Sequence, residues 1–345
     1  MLSVQREIPL YRISETIPDY LSEAMSLPLL RRLLDVGMHC GLEYTSYPYF
    51  SKVEPYNRFE HSVGVALLCL RFSSDPKVAL SGLFHDISTP CFAHVIDFLE
   101  GDHEKQEATE SKTGAMLKED SGVMSFLTKL GIPLESVSDY HRYPIADNDA
   151  PRLSCDRLEY TLSNFLHFGV YPLSTVEGML DDLCLTRNED GEEEIAFSKL
   201  ETALLFGKGM LKNADMYTRD EDRFAMEALS RLLGSCLKDG TLVPSDLYGV
   251  ESALIEKLLS SPRKKDWLAY RGLSLVTREP LEKEGMSLLF SSSIKTKKRF
   301  IDPLVKDKGR LSSLSKEFAS DLSAFLTLSF DSPLWGYSKA GPFSF

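Results

Sequence analysis

The chain has 345 residues, enough for one large or two modest domains with a substantial core, and its 43% hydrophobic and 26% charged residues are an ordinary globular composition. Its formal net charge of −12 lacks the basic footprint that duplex nucleic acid requires, and no run of about 18 apolar residues marks a membrane span. Six scattered cysteines without C-x-x-C spacing argue against a zinc knuckle and for reduced thiols, and the N-terminus shows no basic-then-apolar signal pattern, so the expected location is the cytoplasm.

Helical spacing dominates. Residues 19–37 place Leu21, Met25, Leu29, Leu30, Leu33 and Leu34 at helical intervals, with Pro28 as a break. Residues 40–57, rich in Tyr, Pro, Ser and Gly, read as a loop leading into an amphipathic helix over 58–72. A buried helix over 77–86 follows, then a short one over 91–100. Residues 104–118, 122–131, 154–168, 197–213 and 220–238 read as further helices, with a loop around 143–151. Asp190-Gly191, inside an acidic stretch over 187–194, suggests a solvent-facing hairpin. Residues 241–345 are mixed and contain the basic run Lys295, Lys297, Lys298, Arg299, Lys306, Lys308 and Arg310, read first as a solvated loop and second as an effector site. The expected organisation is an N-terminal helical segment (1–44), a mainly helical core (45–235) and a small mixed α+β extension (236–345). The fold class is therefore all-α with that small C-terminal addition.

The chemistry concentrates at His85-Asp86. The stretch from Pro76 to Ile87 carries almost no polar side chain until that pair, and ending so apolar a helix with an imidazole and a carboxylate is costly unless something compensates the desolvation. A divalent cation would do so. Consecutive helical side chains diverge by about 100°, so one ion takes both only over the helix edge, with His61 and Asp156 closing from other helices. Two imidazoles and two carboxylates suit Mn, Fe, Co, Ni or Zn. The plain alternative is a pair of core histidines satisfied by carbonyls. Arg58, three residues before His61, shares its helical face and could clamp phosphate. His94 and Asp97, also three apart, form a candidate acid dyad, with His103-Glu104 behind them. Tyr160 and Asn164 follow Asp156 along one face of its helix. Arg157, Thr218-Arg219 and Arg223 add cations that, alone, would be ordinary helix-start residues.

Asn57–Gly64 (NRFEHSVG), Leu83–Asp97 (LFHDISTPCFAHVID), His103-Glu104 and Asp156–Tyr160 (DRLEY) together form an H…HD…D pattern that resembles the HD superfamily of metal-dependent phosphohydrolases. Within it, the chain looks like the deoxynucleoside triphosphate triphosphohydrolases. The resemblance implies metal ligation by His61, His85, Asp86 and Asp156, and phosphate contacts from Arg58, Arg157 and Arg219. It implies an acid dyad of His94 and Asp97 assisted by His103 and Glu104, with Tyr160 and Asn164 at the sugar. The implied reaction is hydrolysis at the α-phosphorus of a dNTP. Three positions depart from the family pattern: Ser88-Thr89-Pro90-Cys91 replaces Gly-His-Gly-Pro, Asn164 replaces an aspartate, and Glu227 replaces a sugar-stacking tyrosine and would repel phosphate. A nucleoside monophosphatase, another phosphoester hydrolase, or a nucleotide sensor with little turnover are the competing readings. The expected partner is a nucleotide, with neither duplex nucleic acid nor membrane, and a homo-oligomer is left open.

Overall fold

Asn57 and Asp75 set the starting points of the two central helices in the structure, a computed structural model that describes residues 17–100 and 112–345. The Asn57 side chain accepts from Glu60 N while the Glu60 carboxylate accepts from Asn57 N, each at 3.0 Å, a reciprocal cap that begins helix Arg58–Phe72. Asp75 caps helix Pro76–Phe84, whose first position suits a proline because its missing N–H would have no helical partner anyway. The two helices pack closely at Gly82, where a Cβ would stand 3.0 Å from Cys69 Sγ and 3.1 Å from Val65 Cγ1. Val63, Val65, Ala66, Leu68, Ala79, Leu80 and Leu83 are all buried, so the pair is wrapped rather than laid on a surface. Helices Asp19–Met25, Pro28–Arg31, Cys155–His167 and Leu200–Tyr217 share that cluster.

A second cluster surrounds helix Asp220–Lys238, which packs on helix Val95–Glu100, on helix Lys264–Arg271 and on a three-stranded antiparallel sheet. The strands are β1 (Leu183–Arg187), β2 (Glu193–Phe197), β3 (Leu273–Thr277), β4 (Ser287–Ser292), β5 (Leu304–Val305), β6 (Gly309–Arg310) and β7 (Leu334–Ser338). Among the described residues they form two sheets, in orders β1-β2-β5-β6 and β3-β7-β4. Gly336 of β7 faces the Phe224 ring so closely that a Cβ would come within 1.9 Å of it, and Phe224 in turn stacks on Phe290 of β4 at 4.4 Å between ring centroids.

The fold is mainly helical, as the periodicity implies. Pro28 does break the first helix, and a 3₁₀ turn over Arg32–Asp35 follows it. Of the helix expected over 104–118, residues up to 111 lie outside the described part, and Thr113–Glu119 is helical. Two expectations need correcting. The hairpin β1–β2 is not simply solvent-facing: residues 194–197 are buried, and β2 pairs in parallel with β5, so strands also occur before residue 236. The segment 295–310 is not a solvated loop either. Ile301, Leu304 and Val305 are buried, and Ile301 and Val305 join the first cluster, because the apolar residues between the cations supply the packing. No described helix is long and apolar enough to cross a membrane.

Candidate metal centre and its cavity

The Asn57 cap starts its helix at Arg58 and so turns His61 inward one turn later, while the end of helix Pro76–Phe84 delivers His85 and Asp86. Ser154 caps helix Cys155–His167 and leaves Asp156 in its first turn. The result is a tight group of three donors, His61, His85 and Asp86, with Asp156 closing on the two imidazoles. His61 Nε2 lies 3.2 Å from His85 Nε2, 3.1 Å from Asp156 Oδ1 and 3.8 Å from Asp86 Oδ2. His85 Nε2 lies 3.6 Å from Asp86 Oδ2 and 3.8 Å from Asp156 Oδ1. Neighbouring ligands at about 2.1 Å from an ion stand about 3.0–3.4 Å from one another in octahedral or tetrahedral geometry, so a small adjustment brings His61, His85 and Asp86 onto a first-row divalent metal, and Asp156 would complete the set by a shift toward Asp86.

The tautomers support the same reading. His85 Nδ1 bonds Gly82 O at 2.7 Å, and His61 Nδ1 makes a short bond to the Glu159 carboxylate, so each ring uses Nδ1 as donor and turns Nε2 toward its neighbour. Two imidazole lone pairs and two carboxylate oxygens pointed at each other repel unless a cation lies among them. The donor set fits a divalent ion, and His61, His85, Asp86 and Asp156 would hold it. With a proton in place of an ion, burial alone would lower His61, yet Glu159 and Asp156 carry it up to about 10. Burial would raise Asp156, but the hydrogen bond from His61 and the two imidazoles hold it down at about 2. Asp86 is held below the ordinary carboxylate range against its burial, chiefly by Arg58, whose Nη1 donates to Asp86 Oδ2 at 2.9 Å.

Several residues that fix this set carry no signal of a role in the sequence. Glu159 is buried and also accepts from Ser163 Oγ at 2.6 Å. Thr89 donates to Asp86 Oδ1 at 2.7 Å, from the segment that stands where the family pattern has Gly-His-Gly-Pro. Arg32 donates to the carbonyls of Ile87 and Thr89, each at 2.8 Å, and of Gly249 at 2.9 Å, anchoring the chain just past the His-Asp pair. Phe92 and Ala93 both adopt left-handed backbone conformations (φ 61° and 46°), a costly sharp turn that swings His94 into the same cavity. The buried Glu251 carboxylate steadies that turn, accepting from Phe92 N at 3.0 Å and Gly37 N at 2.9 Å.

The cavity above these donors has a volume of about 390 Å3. His94 and Asp97 are together, Nδ1 to Oδ2 2.9 Å, and His94 Nε2 faces Arg299 Nη2 at 3.2 Å. Burial drives His94 down to about 4; Asp97 opposes this while Arg299 and Arg58 reinforce it. Tyr160 and Asn164 line the cavity, Asn164 donating to Tyr217 OH at 2.7 Å. Arg157 also lines it but is bonded to Asn148 Oδ1 at 2.6 Å and to Arg152 O at 3.1 Å. Arg219 is not brought in: it pairs with Glu221 and lies over the Tyr49 ring at 4.0 Å, outside the lining residues. Arg223 is likewise committed, to Thr218 O and Asp220. Glu227 does not face the cavity, since Arg231 holds it one turn on at 2.7 Å, so no repulsion of phosphate arises there. His103 and Glu104 lie outside the described residues. The sequence reading gave no site role to Asp222 and Tyr217, and gave Lys297, Lys298 and Arg299 only the second reading of an effector site; all of them line the cavity.

Residues 58–139 match the HD domain family, so the chain carries an HD domain, with Asp156 beyond the matched stretch. An uncharacterised protein, YdhJ, of Bacillus subtilis is 24% identical over 251 residues, covering 72% of this chain and 74% of that protein. The metal-dependent phosphohydrolase cns2 of Cordyceps militaris is 24% identical over 306 residues, 84% of each chain. Two solved structures share the fold: a hypothetical protein from Aquifex aeolicus (TM-score 0.60, 17% identity, covering 96% of this chain and 95% of that one) and a phosphohydrolase from Bacteroides thetaiotaomicron (TM-score 0.58, 16% identity, covering 94% and 96%).

Proposed function

We propose that this HD-domain chain is a metal-dependent phosphohydrolase whose substrate is a nucleotide. The observation that carries the reading is the grouping of His61, His85 and Asp86, with Asp156 beside the two imidazoles, at a cavity also lined by His94, which Asp97 holds. A divalent ion bound there would polarise a phosphate and make a neighbouring water nucleophilic near neutral pH. Around it the chain's own groups divide the work. Arg58 and Thr89 fix the Asp86 carboxylate, and Glu159 fixes His61. His94, oriented by Asp97 and neutral, would take up on Nε2 the proton that the attacking water sheds and pass it to the leaving oxygen as the P–O bond breaks.

The rest of the cavity supports a nucleoside as the group carrying that phosphate. Phe50, Phe168, Met216 and Met226 offer apolar walls, while Tyr160, Tyr217 and Asn164 offer hydrogen-bonding edges for a sugar. Asp222, which makes no hydrogen bond or ion pair with a described residue and is pushed up to about 8 by burial, suits a donor on a base or sugar. The expectation of a deoxynucleoside triphosphate cleaved at the α-phosphorus rests on Arg58, Arg157 and Arg219 converging on the phosphates. With Arg219 outside the cavity and the other two already bonded, a nucleoside monophosphate is the better-supported substrate and the dNTP the second reading. Incubating metal-loaded protein with nucleoside mono- and triphosphates and separating the products by chromatography tests this. Orthophosphate from monophosphates is the expected product. Triphosphate from dNTPs with monophosphates untouched would reverse the order of the two readings. Nucleotide binding without turnover under any divalent metal would overturn the enzyme reading in favour of a sensor.

A further inference from the structure

The basic run that the reaction scheme leaves unused delivers Arg299 into the cavity. The run is anchored on both sides of Arg299: the Lys298 side chain donates from Nζ to Leu326 O and Leu328 O at 2.5 and 2.6 Å, Asp302 N donates to Pro151 O at 2.9 Å, and Ile301 is buried between them. On that mount the Arg299 guanidinium reaches His94 Nε2 at 3.2 Å. A guanidinium has donors only, so Nε2 is the acceptor, and Nδ1 carries the hydrogen that it gives to Asp97. Both ring nitrogens of the proposed acid are therefore engaged.

We propose that Arg299 is the phosphate-recognising residue of this cavity, and that on binding the reacting phosphate its guanidinium gives up His94 Nε2 for proton transfer. This rests on the phosphohydrolase reading and deepens it. Three observations support it. Arg58 is bonded to Asp86 and Arg157 to Asn148, and Arg219 is outside the cavity, so the arginines assigned to phosphate from the sequence are committed or absent. A neutral imidazole offers a guanidinium one lone pair, whereas a phosphate offers two charge-bearing oxygens in the fork geometry that guanidinium matches, so exchange of partners favours phosphate. Finally, the charged groups acting on His94 are Asp97, Arg299 and Arg58, and the two arginines together with burial hold the imidazole neutral. A phosphate that neutralises Arg299 removes one of those obstacles as the substrate arrives. The acid is thereby coupled to occupancy of the phosphate position.

The test uses the metal-loaded full chain, with ¹⁵N-histidine NMR during titration with inorganic phosphate and steady-state kinetics on the preferred substrate. In the wild type, phosphate should shift the His94 Nε2 resonance. In Arg299→Ala that resonance should already be displaced without phosphate, phosphate affinity should drop by about 10–100-fold and KM should rise accordingly. Guanidinium ion should restore part of the loss. Arg299→Lys, which keeps the charge and loses the fork, should fall between. Arg299→Ala with wild-type metal content, KM and phosphate affinity would overturn the proposal, as would wild-type phosphate binding that leaves His94 unmoved. That second result needs no variant to fold. A wild type that neither binds phosphate nor hydrolyses any phosphate ester would sink the phosphohydrolase reading itself, a distinct outcome from turnover indifferent to Arg299.

Discussion

Glu159 is the residue whose removal should weaken metal binding without removing a ligand. It is 1% exposed, accepts from His61 Nδ1 and from Ser163 Oγ, and thereby fixes which nitrogen of His61 faces the ion. Outer partners of this kind change metal affinity by about 10–100-fold, or about 1.4–2.7 kcal/mol. The two ends of that range correspond to two substitutions. In Glu159→Gln the amide oxygen can still accept from Nδ1–H while its NH2 donates to Ser163, so orientation survives, charge is lost, and about a tenfold loss is expected. Glu159→Ala leaves the Nδ1–H and the Ser163 hydroxyl buried without their acceptor, and the loss should approach about 100-fold. Titrating metal-free protein with Mn(II) or Zn(II) against a competing chelator measures both. Wild-type affinity in Glu159→Ala would refute the argument that His61 is oriented through its second nitrogen.

His94→Ala should keep its metal and lose about 10²–10⁴-fold in turnover, with Asp97→Asn losing less because the imidazole remains; a His94→Ala enzyme with wild-type kcat would show the pair to be structural. Glu43 is raised by burial, and by the neighbouring Glu251 carboxylate, from 4.5 to about 8. Between those values the folded state keeps a proton that the unfolded chain has lost, so this contribution is present at low pH and disappears as pH rises. Glu43→Gln should therefore match wild-type Tm at about pH 4 and exceed it increasingly up to about pH 8, whereas an equal difference at both would contradict the sign. Gly336→Ala should destabilise by about 1–3 kcal/mol in urea unfolding, since its Cβ must displace a Phe224 ring already stacked on Phe290. An unchanged midpoint would mean that the ring moves freely.

The parts of this molecule that announce themselves in the sequence are those governed by local rules. A capping residue, a helical apolar stripe and an imidazole ending an apolar run are read within a dozen residues. Hence helix Asp220–Lys238 has the bounds that its periodicity gives, and His85-Asp86 stands out at the end of its apolar run, while His61 and Asp156 join that pair through the H…HD…D pattern. What escapes is long-range. Glu159 is an ordinary helical glutamate until His61 arrives from 98 positions away. Arg219 sits beside the right motif and still turns to Glu221 and Tyr49, because a short ion pair and a ring face are nearer than the cavity. Arg299 makes the reverse error possible. Its neighbours are lysines, its composition is that of a surface loop, and only the burial of Ile301 and the pairing of β5 with β2 bring it 205 positions back to His94.

The most direct measurement is the metal content of the chain at equilibrium with excess Mn(II), Fe(II), Co(II), Ni(II) or Zn(II), for the wild type and for His85→Ala and Asp86→Ala. The account predicts one tightly held equivalent in the wild type. It predicts loss of that equivalent, together with phosphohydrolase turnover, in both variants, whose helices should otherwise stay folded. A wild type that takes up no metal, or variants that keep a full equivalent, would contradict it.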